Sequence, residues 1–264
     1  MRSKRMYLAR KPLLSMISKS LEKYVNSLKQ KKYREERQRF IAEGEKVCTE
    51  FLKEGWNVEH IIATAAWIDK NSLFAKKYSE VLLEASDREM KRISALVTSS
   101  PVMLIAEIPQ WNLDEKKISS QLHLALDNIQ DPGNLGTIIR IADWFGIEHV
   151  FCSEDCADAF NLKTVQSTMG SLARVKVMEI SLEKLFQRFN QLTVFGTFTE
   201  GKNLFDTKPV HRGFILIGNE AHGISSSLEK FIQERISIPR IGKAESLNAA
   251  VAAGIVCSWM KRKI

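Results

Sequence analysis

Residues 121–145 read QLHLALDNIQDPGNLGTIIRIADWF, and their pattern decides the fold class. Leu122 to Leu126 form a short apolar run suited to a buried strand. Asp127 to Gly136 then gather Asp, Asn, Pro and Gly, the residues of tight turns. From Leu135 the period changes: Leu135, Ile138, Ile139 and Ala142 fall on one helical face, with Thr137 and Arg140 off it. A strand that empties through a turn into an amphipathic helix is the opening of a βαβ unit.

The same alternation continues outward. Further strands are expected at 149–152, 192–198, 214–217 and 235–238, and helices at 135–145, 162–169, 182–189 and 246–260. Strands spaced by helices imply an α/β fold with a mostly parallel sheet and helices on both faces. Such sheets bind ligands beyond the carboxyl ends of their strands, which directs attention to the loops after Leu126, Phe198, Ile217 and Ile238.

Upstream, residues 18–39 read as one amphipathic helix, with Leu21, Val25 and Leu28 on its apolar side. Phe40-Ile41 reads as a strand, residues around Val47, Phe51 and Leu52 as a helix ended by Gly55, and 58–63 and 81–83 as strands. The expected organisation is a basic lead-in (1–15), a smaller N-terminal α/β domain (16–97), a strand-bearing connector (98–120) and a catalytic domain (121–264).

Charge is concentrated at the start. Residues 1–40 carry thirteen Lys and Arg against three Glu, a net of +10, whereas the 264-residue chain nets +8, so the rest nets −2. Such a block suits a polyanion, since Lys and Arg displace the counterions condensed on phosphates; a solvated basic helix is the plain alternative. Lys29, Lys31, Lys32, Arg34, Arg37 and Arg39 are the candidate nucleic-acid contacts. No apolar run approaches the roughly 20 residues that span a bilayer, and no signal-peptide core follows the basic start. Cys48, Cys152, Cys156 and Cys257 lack disulfide-framework or zinc spacing. His149, Cys152 and Cys156 are not read as metal ligands, and a cytoplasmic location is expected.

Two more loops carry chemistry. Ile217-Gly218-Asn219-Glu220-Ala221-His222-Gly223 empties an apolar strand into two glycines and a cluster of polar side chains, more than a plain turn requires. Ile238-Pro239-Arg240-Ile241-Gly242 precedes Glu245-Ser246-Leu247-Asn248, where Ser246 is the expected N-cap of the last helix. Asn248 has no evident structural duty in this pattern. Gly196 to Asn203 nearly spells a phosphate-binding loop, but Asn203 replaces the required Ser or Thr and the following residues begin a helix poorly. No GxGxxG is present.

Taken in order, Asn134 through Arg140, Gly218-Asn219-Glu220 with Gly223, and Ile238-Pro239 with Ser246-Leu247-Asn248 resemble the three motifs of the SpoU (TrmH-type) RNA 2′-O-ribose methyltransferases. Lys31-Lys32-Tyr33-Arg34 and Phe40 with Glu43-Gly44 are similar to that family's ribosomal-protein-like substrate-binding domain. The resemblance implies a deep C-terminal trefoil knot and an obligate homodimer formed through the catalytic domain. It also implies S-adenosyl-L-methionine held bent against Thr197, Gly218, Ile238 and Leu247. By the same carry-over Arg140 activates the ribose 2′-hydroxyl, and Asn134, Glu220, Ser246 and Asn248 position the reacting groups. The family includes enzymes for ribosomal and for transfer RNA; the basic N-terminal domain favours a structured RNA, and ribosomal RNA is the expectation adopted. The other readings are the same fold acting on transfer RNA, a knotted enzyme that methylates a base, and a non-catalytic RNA-binding protein.

Overall fold

A computed structural model describes residues 17–262; the basic lead-in, 1–15, lies outside the described residues. The strands are β1 (Arg39–Glu43), β2 (Val58–Ala63), β3 (Leu82–Glu84), β4 (Val102–Glu107), β5 (Leu122–Leu126), β6 (His149–Cys152), β7 (Lys176–Glu179), β8 (Val194–Phe198), β9 (Lys202–Asn203), β10 (Gly213–Ile217) and β11 (Glu234–Ser237). They form two sheets, ordered β1-β4-β2-β3 and β7-β6-β5-β10-β8-β11-β9.

Every pairing in the seven-stranded sheet is parallel. Its central strands are apolar on both sides, as a sheet covered on both faces requires. Leu122, Leu124, Leu126, Ile215 and Ile217 point to one face, under the helices Pro132–Trp144 and Ala249–Met260. Ala125, Phe151, Phe214 and Leu216 point to the other, under the helix Leu182–Arg188. Gly136 lets the Pro132–Trp144 helix lie close to the helix Leu162–Ser167: a Cβ there would sit 2.5 Å from Ser167 Cβ and 2.6 Å from the Thr164 carbonyl oxygen.

The N-terminal sheet departs from the sequence reading in two places. β4 lies in the stretch read as connector, yet it is an inner strand, antiparallel to both β1 and β2. Its continuous apolar run, Val102 to Ala106, is fully buried. The expected helix over 18–39 is broken into Lys19–Ser27 and Lys31–Arg37, with Gln30 extended between them. In an unbroken helix Arg34 would stand about half a turn round from the buried Val25, at roughly 100° per residue. The break turns Arg34 inward instead, where Nη1 donates to the Leu28 carbonyl at 2.9 Å.

Two histidines lie within the parallel sheet. His123 is fully buried, and burial lowers its pKa to about 4; burial also lowers that of His149. Each ring has an Nδ1 without a hydrogen-bond partner, so nothing there compensates burial of the charged form. The unfolded chain takes up protons below about pH 6.5 while the fold does not. Stability is therefore complete above pH 6.5 and falls as pH drops towards 4. We expect a loss of about 2 kcal/mol between pH 6.5 and 5, seen as a lower urea midpoint; equal midpoints at the two pH values would refute this.

Candidate active site

The site is assembled at the carboxyl ends of β5, β8, β10 and β11. After β5 the chain turns through Asn128, whose φ of 58° lies in the left-handed region that Asn tolerates. Asp131 then caps the Pro132–Trp144 helix, accepting from the Asn134 backbone N–H at 2.8 Å, while Pro132 takes the first helical position, where no N–H is needed. A hydrogen bond from Lys163, at 3.0 Å, and the capped N–H hold the Asp131 carboxyl below its ordinary pKa.

Asn134 joins the three loops. Its Nδ2 donates to Glu220 Oε1 in the loop after β10. Its Oδ1 accepts from Asn248 Nδ2 at 3.0 Å, at the entrance to the last helix. Asn219 adds a second tie, donating from Nδ2 to the Asn128 carbonyl at 2.8 Å, while its Oδ1 accepts from the Ala221 and His222 backbone N–H groups. A third tie runs from the Ser225 N–H to the buried Asp127 carboxylate at 2.7 Å. Asn219 belongs to the motif read from the sequence, whereas Asp127 has no role in that reading; its signal is an acid at the buried end of an apolar strand.

Asn248, not Ser246, is the N-cap of the last helix. Its Oδ1 accepts from the Ala250 and Val251 backbone N–H groups, so the helix begins at Ala249 and Ser246 stays in the exposed preceding loop. Asn248 thus has two duties, as cap and as Asn134's partner. Asn248→Ala should cost about 1 kcal/mol in stability and also release Asn134. A thermal melt reads the first effect, and unchanged melting would exclude it.

A cleft of about 920 Å3 opens between these loops. Thr197, Gly218, Glu220, Ile238, Ser246 and Leu247, six of the sequence-derived site residues, all line it. Leu204, Ile217 and Val256 supply apolar wall, and Glu229 and Glu245 further carboxylates. Thr197 Oγ1 donates to the Leu216 carbonyl at 3.0 Å, tying β8 to β10. Arg140 is not among the lining residues; it is exposed and has no hydrogen-bond or ion-pair partner among the described residues. The near phosphate-binding loop ends in a single 3₁₀ turn, Leu204–Asp206, with no helix to receive a phosphate.

Among the basic candidates, Arg34 does not face solvent. It is 2% exposed, with Nε and Nη2 donating to Asp158 at 2.9 and 2.6 Å, so it cannot reach a phosphate. Arg39 is likewise taken up by Glu59 and Glu107. Lys29 is half-buried and donates to the Ser94 carbonyl. Lys31, Lys32 and Arg37 are exposed, although Lys31 lies near Glu35 and Glu179. All four cysteines are free and buried, and no metal-binding cluster occurs among the described residues.

A seven-stranded parallel sheet with a deep cleft at its carboxyl edge, walled by three mutually bonded loops, defines a ligand-binding α/β enzyme domain. The chain belongs to the SpoU rRNA methylase family, whose model matches residues 121–258, and an MRM3-like substrate-binding domain matches residues 22–106. It is 31% identical over 229 residues to the Bacillus subtilis 23S rRNA (guanosine(2553)-2′-O)-methyltransferase RlmP, covering 86% of this chain and 90% of that one. It is 27% identical to a Streptomyces viridochromogenes 23S rRNA (uridine(2479)-2′-O)-methyltransferase, covering 81% and 79%. The structure of an AdoMet-bound rRNA methyltransferase from Sinorhizobium meliloti superposes with a TM-score of 0.83 at 27% identity, covering 94% and 97%.

Proposed function

We propose that this protein is an S-adenosylmethionine-dependent methyltransferase acting on a ribose 2′-hydroxyl of ribosomal RNA. The observation that carries the reading is the bonding of Asn134 to Glu220 and Asn248 at the mouth of the cleft, in a chain of this family.

The cleft suits the cofactor in size and chemistry. Pockets for such ligands run to about 300–1,000 Å3. The walls combine apolar and polar side chains: Glu220 and Glu245 bring carboxylates suited to a sulfonium, while Glu229 is paired with Arg235 at 2.9 Å and Arg240 also lines the cleft. Thr197, Gly218, Ile238 and Leu247 are the residues that would hold it. When bound, the group supplies an electrophilic methyl. The protein has to orient the 2′-oxygen and stabilise the charge that develops there. Arg140 performs this by holding the target phosphate and the oxygen; a guanidinium stays protonated and does not serve as base. Asn134, Glu220, Ser246 and Asn248 fix the surrounding groups.

The active unit is a homodimer joined through the catalytic domains, and Arg140 acts at the partner's cleft. Two observations support this: Arg140 lies outside its own cleft, and apolar Trp144, Leu247 and Val251 are exposed at 84%, 46% and 51%. The knot is supported by a strand order in which β10 lies between β5 and β8, and β11 between β8 and β9. Lys31, Lys32 and Arg37, on a ribosomal-protein-like N-terminal domain, offer the first contacts to RNA. No helix among the described residues is long and apolar enough to cross a membrane, and the enzyme works in the cytoplasm.

Incubation with methyl-labelled cofactor and ribosomal RNA, followed by nucleoside mass spectrometry, tests the function. A 2′-O-methylnucleoside is expected. A methylated base, or RNA binding without transfer, would overturn it.

A further inference from the structure

Arg34 came from the sequence as an RNA contact, and its burial leaves its charge to be explained. Its partner Asp158 belongs to the loop between β6 and the Leu162–Ser167 helix. The same loop forms the back wall of the Asp127–Asp131 turn. The Asn128 N–H donates to Ser153 Oγ at 2.9 Å, the Ile129 N–H to Cys156 Sγ at 3.3 Å, and the Ala157 N–H to the Ile129 carbonyl at 2.8 Å. Asp158 follows Ala157 directly. It is also braced within the loop, its Oδ1 accepting from the Phe160 N–H at 2.8 Å and its carbonyl from Thr164 Oγ1 at 2.9 Å. An unbroken series of contacts therefore runs from the Lys31–Arg37 helix through Asp158 to the turn that leads into the helix bearing Asn134.

The junction around this pair is packed. The Phe40 and Phe160 rings lie 5.0 Å apart across it, and Gln166 Nε2 donates to the Glu43 carbonyl. A second clamp joins the domains elsewhere: Arg174 bonds Asp143, near the far end of the Pro132–Trp144 helix, as well as Glu50. The Arg174 clamp touches no residue of the Asp127–Asp131 turn, whereas the Arg34 clamp backs directly onto it. A buried guanidinium with one carboxylate partner also allows little slack, because a displacement leaves the Arg34 charge buried without its counter-ion.

We infer that Arg34 and Asp158 are positioning residues for methyl transfer: they set the Asp127–Asp131 turn, and with it Asn134, from the RNA-binding domain. The inference rests on the methyltransferase reading above. It makes the N-terminal domain part of the support of the active site as well as a means of holding RNA.

The test compares Asp158→Asn, Arg34→Met and Arg34→Lys with Arg174→Met in the full-length protein. Single-turnover methylation is measured at saturating RNA and cofactor, below every variant's melting temperature. Asp158→Asn and Arg34→Met should lower the saturated rate about 10- to 100-fold, the effect of a small misplacement of reacting groups. Calorimetric affinity for the cofactor should stay within about two-fold, since none of the proposed cofactor contacts lies in the turn. Arg34→Lys should recover part of the rate. Amide exchange at Asn128 and Ile129 should quicken in the Arg34 and Asp158 variants and not in Arg174→Met, whose loss should register only in melting temperature.

A wild-type saturated rate in Asp158→Asn, or a fall equal to that in Arg174→Met, would overturn the inference. If Arg34→Met does not fold, Asp158→Asn, which keeps an acceptor oxygen, decides. Failure of the wild-type protein to methylate RNA would refute the functional reading instead, and amide exchange would still report whether the turn depends on Arg34.

Discussion

Replacing Arg140 with alanine is expected to lower the single-turnover rate by about 10²–10³-fold, the range seen when one charge-stabilising donor is removed. The melting temperature should stay where it is. Exposure and the lack of any partner among the described residues leave Arg140 with no stabilising contact within its own chain, and such surface changes usually stay within about 0.5 kcal/mol. Arg140→Lys separates charge from shape: lysine keeps the positive charge but lacks the planar fork that binds a phosphate at two points. We expect it to stay well below the wild-type rate. Full activity in the lysine variant would refute the specific role given to the guanidinium, and full activity in the alanine variant would remove Arg140 from the mechanism.

The second large effect falls on stability. In Gly136→Ala the new methyl would meet Ser167 Cβ at 2.5 Å and the Thr164 carbonyl oxygen at 2.6 Å. The second is backbone of the neighbouring helix and cannot rotate away. Overpacking of this kind costs about 3 kcal/mol, which at this chain length corresponds to roughly 6–12 °C in melting temperature. Because the displaced helix carries Asn134, methylation should decline as well. A melting curve that superposes on the wild type would show that the helices can separate freely, contrary to the close approach described here.

Much of the catalytic domain was legible because period and punctuation agree. β5 and β6 lie where their apolar runs end in turns, and the buried stripe Leu135, Ile138, Ile139 and Ala142 is the one its spacing predicts. The Pro132–Trp144 helix begins three residues before the expected 135. The signal for this, Asp131 as cap with Pro132 after it, was in the chain. The last helix was read from Ser246 because Ser and Asn are comparable caps. The choice falls to Asn248, the residue that also meets Asn134.

What remained hidden depends on distant partners. The break between Ser27 and Lys31 serves the contact of Arg34 with Asp158, 124 residues downstream of that arginine, and the local amphipathic pattern carries no trace of it. Arg34 was counted with the surface cations for the same reason, since composition does not distinguish a solvated guanidinium from a buried one. β4 was recognised as a strand but not as an inner member of the N-terminal sheet, because strand order follows from tertiary pairing and not from the two-residue period.

The span of the Asn134 bonds has a consequence for synthesis. Its two side-chain partners lie 86 and 114 residues further along the chain, whereas the N-terminal sheet is complete at Glu107. As the polypeptide leaves the ribosome, the front half can fold while the future cleft still lacks two of its walls. A nascent chain ending short of Asn248 has no closed donor site, so the cleft is completed only when the final helix has been made.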